Sequence, residues 1–384
     1  MNEPISQLNG TDFDEAMDFL NRVFGEHEPH DFARLLPSIY RPTESLMACN
    51  YAIRSQGNLQ AIVGLFPIDW QVGGTTLRIA GIGGVSTHPQ ARGAGYMKRL
   101  MRHCVELMPE QGYHLSYLGG QRQRYGYFGY EKCGWKQTFS VSPTNLRHCY
   151  SDAPGIAFKA LAADQTDYLS QAFQLHQAQP THCLRPAEDF YYFLLSWLNQ
   201  PYAAFDGNGA MVGYLVANND QTRIDELAAV DDETALRMVR AWVADHANQS
   251  VAVTLPPSSL QLGHLLGRIG ERVGVGGAGN FQLFDWAAVC QALLRQQHRD
   301  RGLSDGAVVL GIDGYGAIRL QVAGTQADCT RVDEAPDLQC DPATALRLLL
   351  GPLPPALVAN LPPAAAALQA WCPLPLGFSA QDGV

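Results

Sequence analysis

Apolar positions in this chain switch repeatedly between the period of a helix and the period of a strand, which predicts a mixed α/β protein. Phe13, Met17, Leu20, Val23 and Phe24 recur at helical spacing, with Thr11 placed to cap that helix. Leu46 to Arg54 and Leu59 to Trp70 read as strands around the turn Gln56-Gly57-Asn58. Gly73-Gly74 then turns the chain into a third run, Thr75 to Val85. From Tyr96 the residues Met97, Leu100, Met101, Cys104, Val105 and Met108 share one face, so an amphipathic helix is expected to end before Gly112. A short strand, His114 to Leu118, follows. After Gly119-Gly120 comes the aromatic segment Tyr125-Gly126-Tyr127-Phe128-Gly129-Tyr130.

A similar order returns further on. Asp167 to Gln177 and Glu188 to Asn199 read as helices, and Ala203 to Phe205 and Met211 to Ala217 as a hairpin around Asp206-Gly207-Asn208-Gly209. Thr222 to Val230, a helix Glu233 to His246 and a strand Val251 to Leu255 complete the second unit, a weak repeat of fold without a shared motif. The Gly-rich segment Gly274 to Gly279 reads as a boundary. Beyond it lie a helix Asp285 to Gln297, a hairpin of Ala307 to Ile312 with Ala317 to Val322, and a helix Pro342 to Leu350 stopped by Gly351. Three domains are therefore expected, at 1–150, 151–278 and 279–384.

Composition removes several classes. At 384 residues the chain is too long for one ordinary core, and with 17% charged residues it is not of disordered type. Nine cysteines without a C-x-x-C pair or zinc-type spacing read as reduced thiols, so no metal is expected. The formal net charge of −10 and the lack of a basic run argue against nucleic acid. No apolar run has membrane-spanning length, and Met1-Asn2-Glu3-Pro4 does not open a signal peptide, so a cytoplasmic protein is expected.

The chemistry concentrates in Gln90-Ala91-Arg92-Gly93-Ala94-Gly95, between a predicted strand and a predicted helix. Such a loop lets backbone N–H groups face an anion at the start of the helix. It lacks the G-x-G-x-x-G of a dinucleotide loop and the Lys-Ser/Thr ending of a Walker loop. With Val85-Ser86-Thr87-His88-Pro89 before it, the Q-x-x-G-x-G pattern resembles the pyrophosphate loop of GNAT-type acyltransferases. At the corresponding place in the second unit the chain reads Asp231-Asp232-Glu233, which suits a helix dipole but would repel a pyrophosphate.

Val85, Thr87, His88, Arg92 and Gly93, with Tyr125-Gly126-Tyr127-Phe128-Gly129-Tyr130, extend the resemblance to the Eis (enhanced intracellular survival) family of acetyltransferases. Gln90 stands where family members often carry another arginine. The resemblance implies an α/β fold class of mixed sheets: tandem GNAT folds, the second degenerate, and a C-terminal sterol-carrier-protein-like domain. It implies acetyl-CoA held by Val85, Ser86, Thr87, Gln90, Arg92, Gly93, Ala94 and Gly95, with backbone N–H groups of Val85 and Thr87 at the thioester carbonyl. It implies Tyr125 as general acid, since a phenol can return a proton to a departing thiolate. It further implies the carboxylate of Val384 as base.

His88 and His114 are alternative bases by their ordinary pKa. Asp69 and Glu106 read as solvated charges, Lys98 and Arg99 as ordinary exposed helix bases, and Tyr127 and Tyr130 as packing residues. The function expected is transfer of an acetyl group to an amine of a small cationic molecule, aminoglycoside- or polyamine-like, or to lysine. The alternatives are a protein or peptide lysine acetyltransferase and a non-catalytic acyl-CoA-binding regulator. The family also implies a homo-oligomer, with a hexamer as the candidate assembly.

Overall fold

A computed structural model describes residues 3–25, 31–246 and 249–384. Among them the strands form three sheets, and the architecture is mixed α/β. The first sheet has eight strands. In order across it run Ile5–Gln7, Asn50–Ser55, Asn58–Val72, Thr75–Thr87, Leu115–Leu118, Gly279–Leu283 and Glu131–Cys133, while Thr181–Cys183 pairs with the far end of Asn58–Val72. The second has seven: Arg272–Gly276, Lys136–Val141, Val251–Leu255, Arg223–Ala229, Met211–Ala217, Gln200–Phe205 and Ala157–Ala160. The third has four, Gln326–Val332, Gly316–Ala323, Gly306–Ile312 and Leu338–Cys340.

Two strands change places between the first two sheets. Lys136–Val141, expected with the first domain, pairs with Val251–Leu255 and Arg272–Gly276 in the second sheet. Gly279–Leu283, expected to open the third domain, lies between Leu115–Leu118 and Glu131–Cys133 in the first sheet. Of the Gly-rich segment read as a boundary, Gly274 to Gly276 end the edge strand Arg272–Gly276. Period and turn chemistry identify a strand but carry no information about its partner.

Other differences have local causes. Thr11 does not cap the first helix, because its hydroxyl is bonded to Asn9 Oδ1 at 2.6 Å; Asn9 caps a short 3-10 turn, Gly10–Asp12, that leads into Phe13–Phe24. The strand expected from Leu46 begins only at Asn50, because Leu46 and Met47 belong to a helical turn, Glu44–Met47, capped by Thr43. The helix expected to reach Asn199 stops early, since Trp197 and Leu198 take the left-handed conformation (φ 65° and 59°).

The helices Phe13–Phe24 and Tyr96–Glu110 cover opposite faces of the first sheet. The first packs Met17, Phe19 and Leu20 with Tyr40 and Phe66; the second packs Leu100, Met101, Cys104 and Met108 with Ala80, Ile82 and Leu118. Burial of side chains of this size contributes about 1.5–3 kcal/mol each, so the strands between the helices are held from both faces.

Candidate active site

Thr75–Thr87 is the strand on which the site is built. Its register against Asn58–Val72 runs Ala61 to Thr87 and Ile62 to Ser86, then Gly64 to Gly83, so one extra residue bulges at Gly84-Val85. Gly84 has φ 58°, and a methyl group there would lie 2.6 Å from the Tyr40 hydroxyl, so both backbone and space require glycine. On its other side the strand pairs in parallel with Leu115–Leu118, but only from Ile79 to Ile82. Past Ile82 and Leu118 the two strands part. Gly83 to Thr87 meet no strand on that side among the described residues, which leaves backbone donors facing a cleft.

The loop follows at the mouth of this cleft. Pro89–Ala91 form a 3-10 turn capped by His88, whose Nδ1 accepts from the Gln90 N–H at 3.3 Å. That bond assigns His88 a structural task. Gly93 and Gly95 are left-handed (φ 92° and 81°), and no atom lies within 4 Å of a methyl group placed on either. They are glycines for their backbone angles and for the open space a ligand can fill. Gly95 is the N-cap of Tyr96–Glu110, with no side-chain cap bond and no acidic residue in the first turn. The first helical N–H groups therefore lack an intrahelical partner and suit an anion. Gln90, Arg92 and Ala94 are exposed around them.

At the equivalent place in the second sheet the helix start is instead capped and acidic. Asp231 Oδ1 accepts from the Thr234 N–H at 2.7 Å, and Asp232 and Glu233 fill the first turn of the helix Asp232–Asp245. Burial, then the neighbouring Asp231 and Glu233 charges, push the Asp232 carboxyl up. An added phosphate would meet that same repulsion.

Tyr125 lies in the helical turn Arg122–Gly126, 8% exposed, among Leu118, Met101 and Tyr130. Its ring sits over Gly120, just beyond the point where Leu118 leaves the splayed strand. Burial pushes its phenol above the ordinary value against a smaller opposing effect of Arg124, so it stays protonated at neutral pH. Glu131 bonds Arg122 through Nε at 2.5 Å and Nη2 at 2.8 Å, which fixes the turn that carries Tyr125. Tyr130 is a packing residue, its hydroxyl 2.7 Å from Ser116 Oγ. Tyr127, expected to pack as well, is 88% exposed.

Val384 lies against the splayed strand on the opposite face. A methyl group on Gly83 would be 3.1 Å from its carbonyl carbon, and one on Gly81 would be 2.7 Å from its Cγ2. Phe66 and Tyr40 border the same cluster, their rings edge to face at 5.6 Å. Trp197 and Tyr117 approach the adjacent Gly383, and the Trp197 indole donates to the Ala380 carbonyl at 2.8 Å. His114 lies elsewhere: its Nδ1 accepts from the Arg78 N–H at 2.9 Å, at the closed end of the strand pair. Asp69 is half exposed and 4.0 Å from Arg78, and Glu106 is exposed on its helix.

Two buried hydroxyls beside the bulge, Tyr40 and Ser86, have no hydrogen-bond partner among the described residues. Unpaired buried hydroxyls are uncommon and mark places where a ligand or water completes the bonding. The parted strands, the uncapped helix and the open space at Gly93 and Gly95 together fit an elongated, phosphate-bearing acyl donor. The described residues hold no group of three or more His, Cys, Asp or Glu able to bind a metal ion, and no helix long and apolar enough to cross a membrane.

Residues 4–137 match the acetyltransferase (GNAT) domain family. The chain carries that domain and is an enzyme of the GNAT N-acetyltransferase class, whose fold generally binds an acyl-CoA. Solved structures share the fold along the full length. A GCN5-related N-acetyltransferase from Kribbella flavida has a TM-score of 0.68 at 22% identity, covering 100% of this chain and 98% of that one. A probable N-acyltransferase from Enterococcus faecalis gives 0.68 at 17% identity, and Eis1 from Mycobacterium abscessus 0.65 at 18%, each covering 98% of both chains. None of the curated protein sequences matches this chain.

Proposed function

We propose that this protein transfers an acetyl group from acetyl-CoA directly to the amine of a small cationic molecule, aminoglycoside- or polyamine-like, or of a lysine. The single observation that carries this reading is the strand that splays past Ile82, with an uncapped glycine loop at its mouth and Val384 on its bulged face. Acetyl-CoA supplies a thioester acyl group when bound. Val85, Ser86 and Thr87 and the loop residues Gln90, Arg92, Gly93, Ala94 and Gly95 would hold it. Backbone N–H groups of Val85 and Thr87 would donate toward the carbonyl oxygen, where fixed donors accelerate acyl transfer by stabilising developing charge. Tyr125 holds a proton for the leaving sulfur. The carboxylate of Val384 takes the proton from the attacking amine.

Resemblance to the Eis family, together with the fold shared with Eis1 of Mycobacterium abscessus, supports further assignments. The second sheet with its helix is a degenerate GNAT fold, a reading that the acidic helix start at Asp231 supports. Residues 279–384 form a sterol-carrier-protein-like domain that delivers the tail to the first site, although Gly279–Leu283 is lent to the first sheet. The protein works in the cytoplasm as a homo-oligomer, with a hexamer as the candidate, without nucleic acid or membrane as partner.

Coenzyme A release, followed with a free-thiol reagent over a panel of aminoglycosides, polyamines and lysine peptides, tests the activity. Thiol release with small polycations and not with peptides is the expected result. Turnover with peptides alone would move the function to lysine acetylation. Acetyl-CoA binding without release on any amine would leave a regulator.

A further inference from the structure

The segment that ends at Val384 is gripped by a buried charge cluster that acyl transfer itself does not use. Arg185 lies just after the strand Thr181–Cys183, and its side chain is 0% exposed. It donates to Glu226 from Nη1 at 2.9 Å and Nη2 at 2.6 Å, and to Asp382 from Nε at 2.7 Å and Nη2 at 3.0 Å. Thr181–Cys183 belongs to the first sheet, Glu226 to the strand Arg223–Ala229 of the second, and Asp382 to the tail. One cation therefore joins both sheets to the tail. Glu226 also accepts from the Tyr214 hydroxyl at 2.8 Å and from Ser379 Oγ at 2.5 Å.

The place of this cluster is informative. Arg223–Ala229 pairs in parallel with Val251–Leu255 only at Arg223 and Ile224, so the two strands part before Glu226. This divergence corresponds to the cleft of the first sheet. Here the tail lies along it, anchored at Ser379 and Asp382, and shares the lining of its remaining space with Leu227 and Leu255. An ion pair this deep is a weak source of net stability, because desolvation offsets most of the attraction. What a forked guanidinium between two carboxylates does supply is a fixed geometry. Asp382 is two residues from Val384, a span of about 7 Å at full extension. The group over Gly83 is therefore within reach of a shift at Asp382, and misplacement by about 1 Å can cost two orders of magnitude in rate.

We infer that Arg185, Glu226 and Asp382 form a positioning device in which the second fold's cleft has become a clamp that sets residue 384 against the first fold's cleft. This rests on the reading of Val384 as the base. The test uses the full-length protein in four forms: unchanged, Asp382→Asn, extended by one glycine after Val384, and both changes together. Asp382→Asn is expected to lower kcat at least tenfold, to shift the acid limb of the kcat–pH profile, and to leave the KM and the calorimetric Kd for acetyl-CoA within twofold. Asp382→Glu keeps the charge on a longer arm, and should recover Tm without recovering kcat. The extension alone should lower turnover at least tenfold to a residual rate that can still be measured, and the combined form should be no worse.

Full kcat in Asp382→Asn alongside an impaired extended chain would overturn the clamp and leave the base standing. Full kcat in the extended chain would overturn both. Equal rescue of Tm and kcat by Asp382→Glu, or multiplicative losses in the combined form, would mean a purely structural cluster. If Asp382→Asn does not fold, Ser379→Ala, which removes a neutral tail bond, should lower kcat severalfold at constant KM; unchanged kcat there overturns the clamp.

Discussion

Gly83 and Val384 face one another closely: one methyl group at 83 would stand 3.1 Å from the Val384 carbonyl carbon and 3.3 Å from the Phe66 ring, so even a β-carbon there needs the tail or the ring to give by a few tenths of an ångström. Gly83→Val is expected to displace the tail rather than the strand, which is paired on one edge and backed by Phe66. Overpacking of this kind costs about 1–3 kcal/mol. Turnover should fall more than tenfold while acetyl-CoA affinity holds, by steady-state kinetics and calorimetry. Gly207→Ala, in open space at a distant hairpin, is the control and should change neither.

At Gly93 the expected effect comes from the backbone, since a methyl group there meets nothing within 4 Å but φ is 92°. An L-residue in a left-handed conformation costs about 1–2 kcal/mol, and a β-branched one more. Calorimetry should show acetyl-CoA affinity falling in the order Gly93→Asn, Gly93→Ala, Gly93→Val, because asparagine tolerates the conformation best. Unchanged affinity in Gly93→Val would remove the loop from acyl-donor binding.

Tyr125→Phe retains the ring that packs on Gly120 and removes only the phenol. A positioned general acid contributes typically about 10²–10⁴-fold, so kcat should fall in that range with Tm nearly unchanged. Because burial holds the phenol above its ordinary value, the unaltered enzyme should keep its rate through about pH 9, and a decline should begin only beyond the ordinary tyrosine range near ~10.

Acid should loosen the second fold in two stages. His176 is buried against the Cys183 carbonyl, at 2.8 Å, and desolvation, then the Arg185 charge, lowers its pKa. Its neutral form is favoured in the folded state, so stability is complete above the unfolded histidine value of ~6.5 and declines as pH falls below it. Burial would raise the Glu226 carboxyl, but Arg185 overrides it through charge and hydrogen bonds, and the net direction is down. That contribution is complete above the unfolded glutamate value of ~4.3 and is lost as pH falls further, through the folded value. Denaturant melts from about pH 8 down to about pH 3 should show both declines, and His176→Asn should remove the first.

The glycine loop is legible in the sequence because its backbone needs are local. Glycines at 93 and 95 between a strand and an amphipathic helix state their backbone needs directly. Tyr125 is legible through its spacing to Gly129 and Tyr130, and its family resemblance. Arg185, Glu226 and Asp382 are not, because their meaning lies in a meeting of three segments far apart in the chain. An isolated Arg after Cys183 looks like any surface charge until its side chain is seen at 0% exposure. Trp197 escapes sequence reasoning for a related reason: apolar spacing from Glu188 to Asn199 favours a helix, and tertiary contact with the tail breaks it.

The exchange of Lys136–Val141 for Gly279–Leu283 also governs how the protein can be made. The sheet that carries the splayed strand lacks an inner member until Leu283 has been synthesised, so Leu115–Leu118 and Glu131–Cys133 emerge from the ribosome with unpaired edges facing each other. Exposed edges of this kind invite wrong partners. A fragment cut at the end of the GNAT match would keep every residue proposed to bind the acyl donor and still expose those edges. The natural unit of expression is therefore the interlocked pair of sheets, with the tail packed against both.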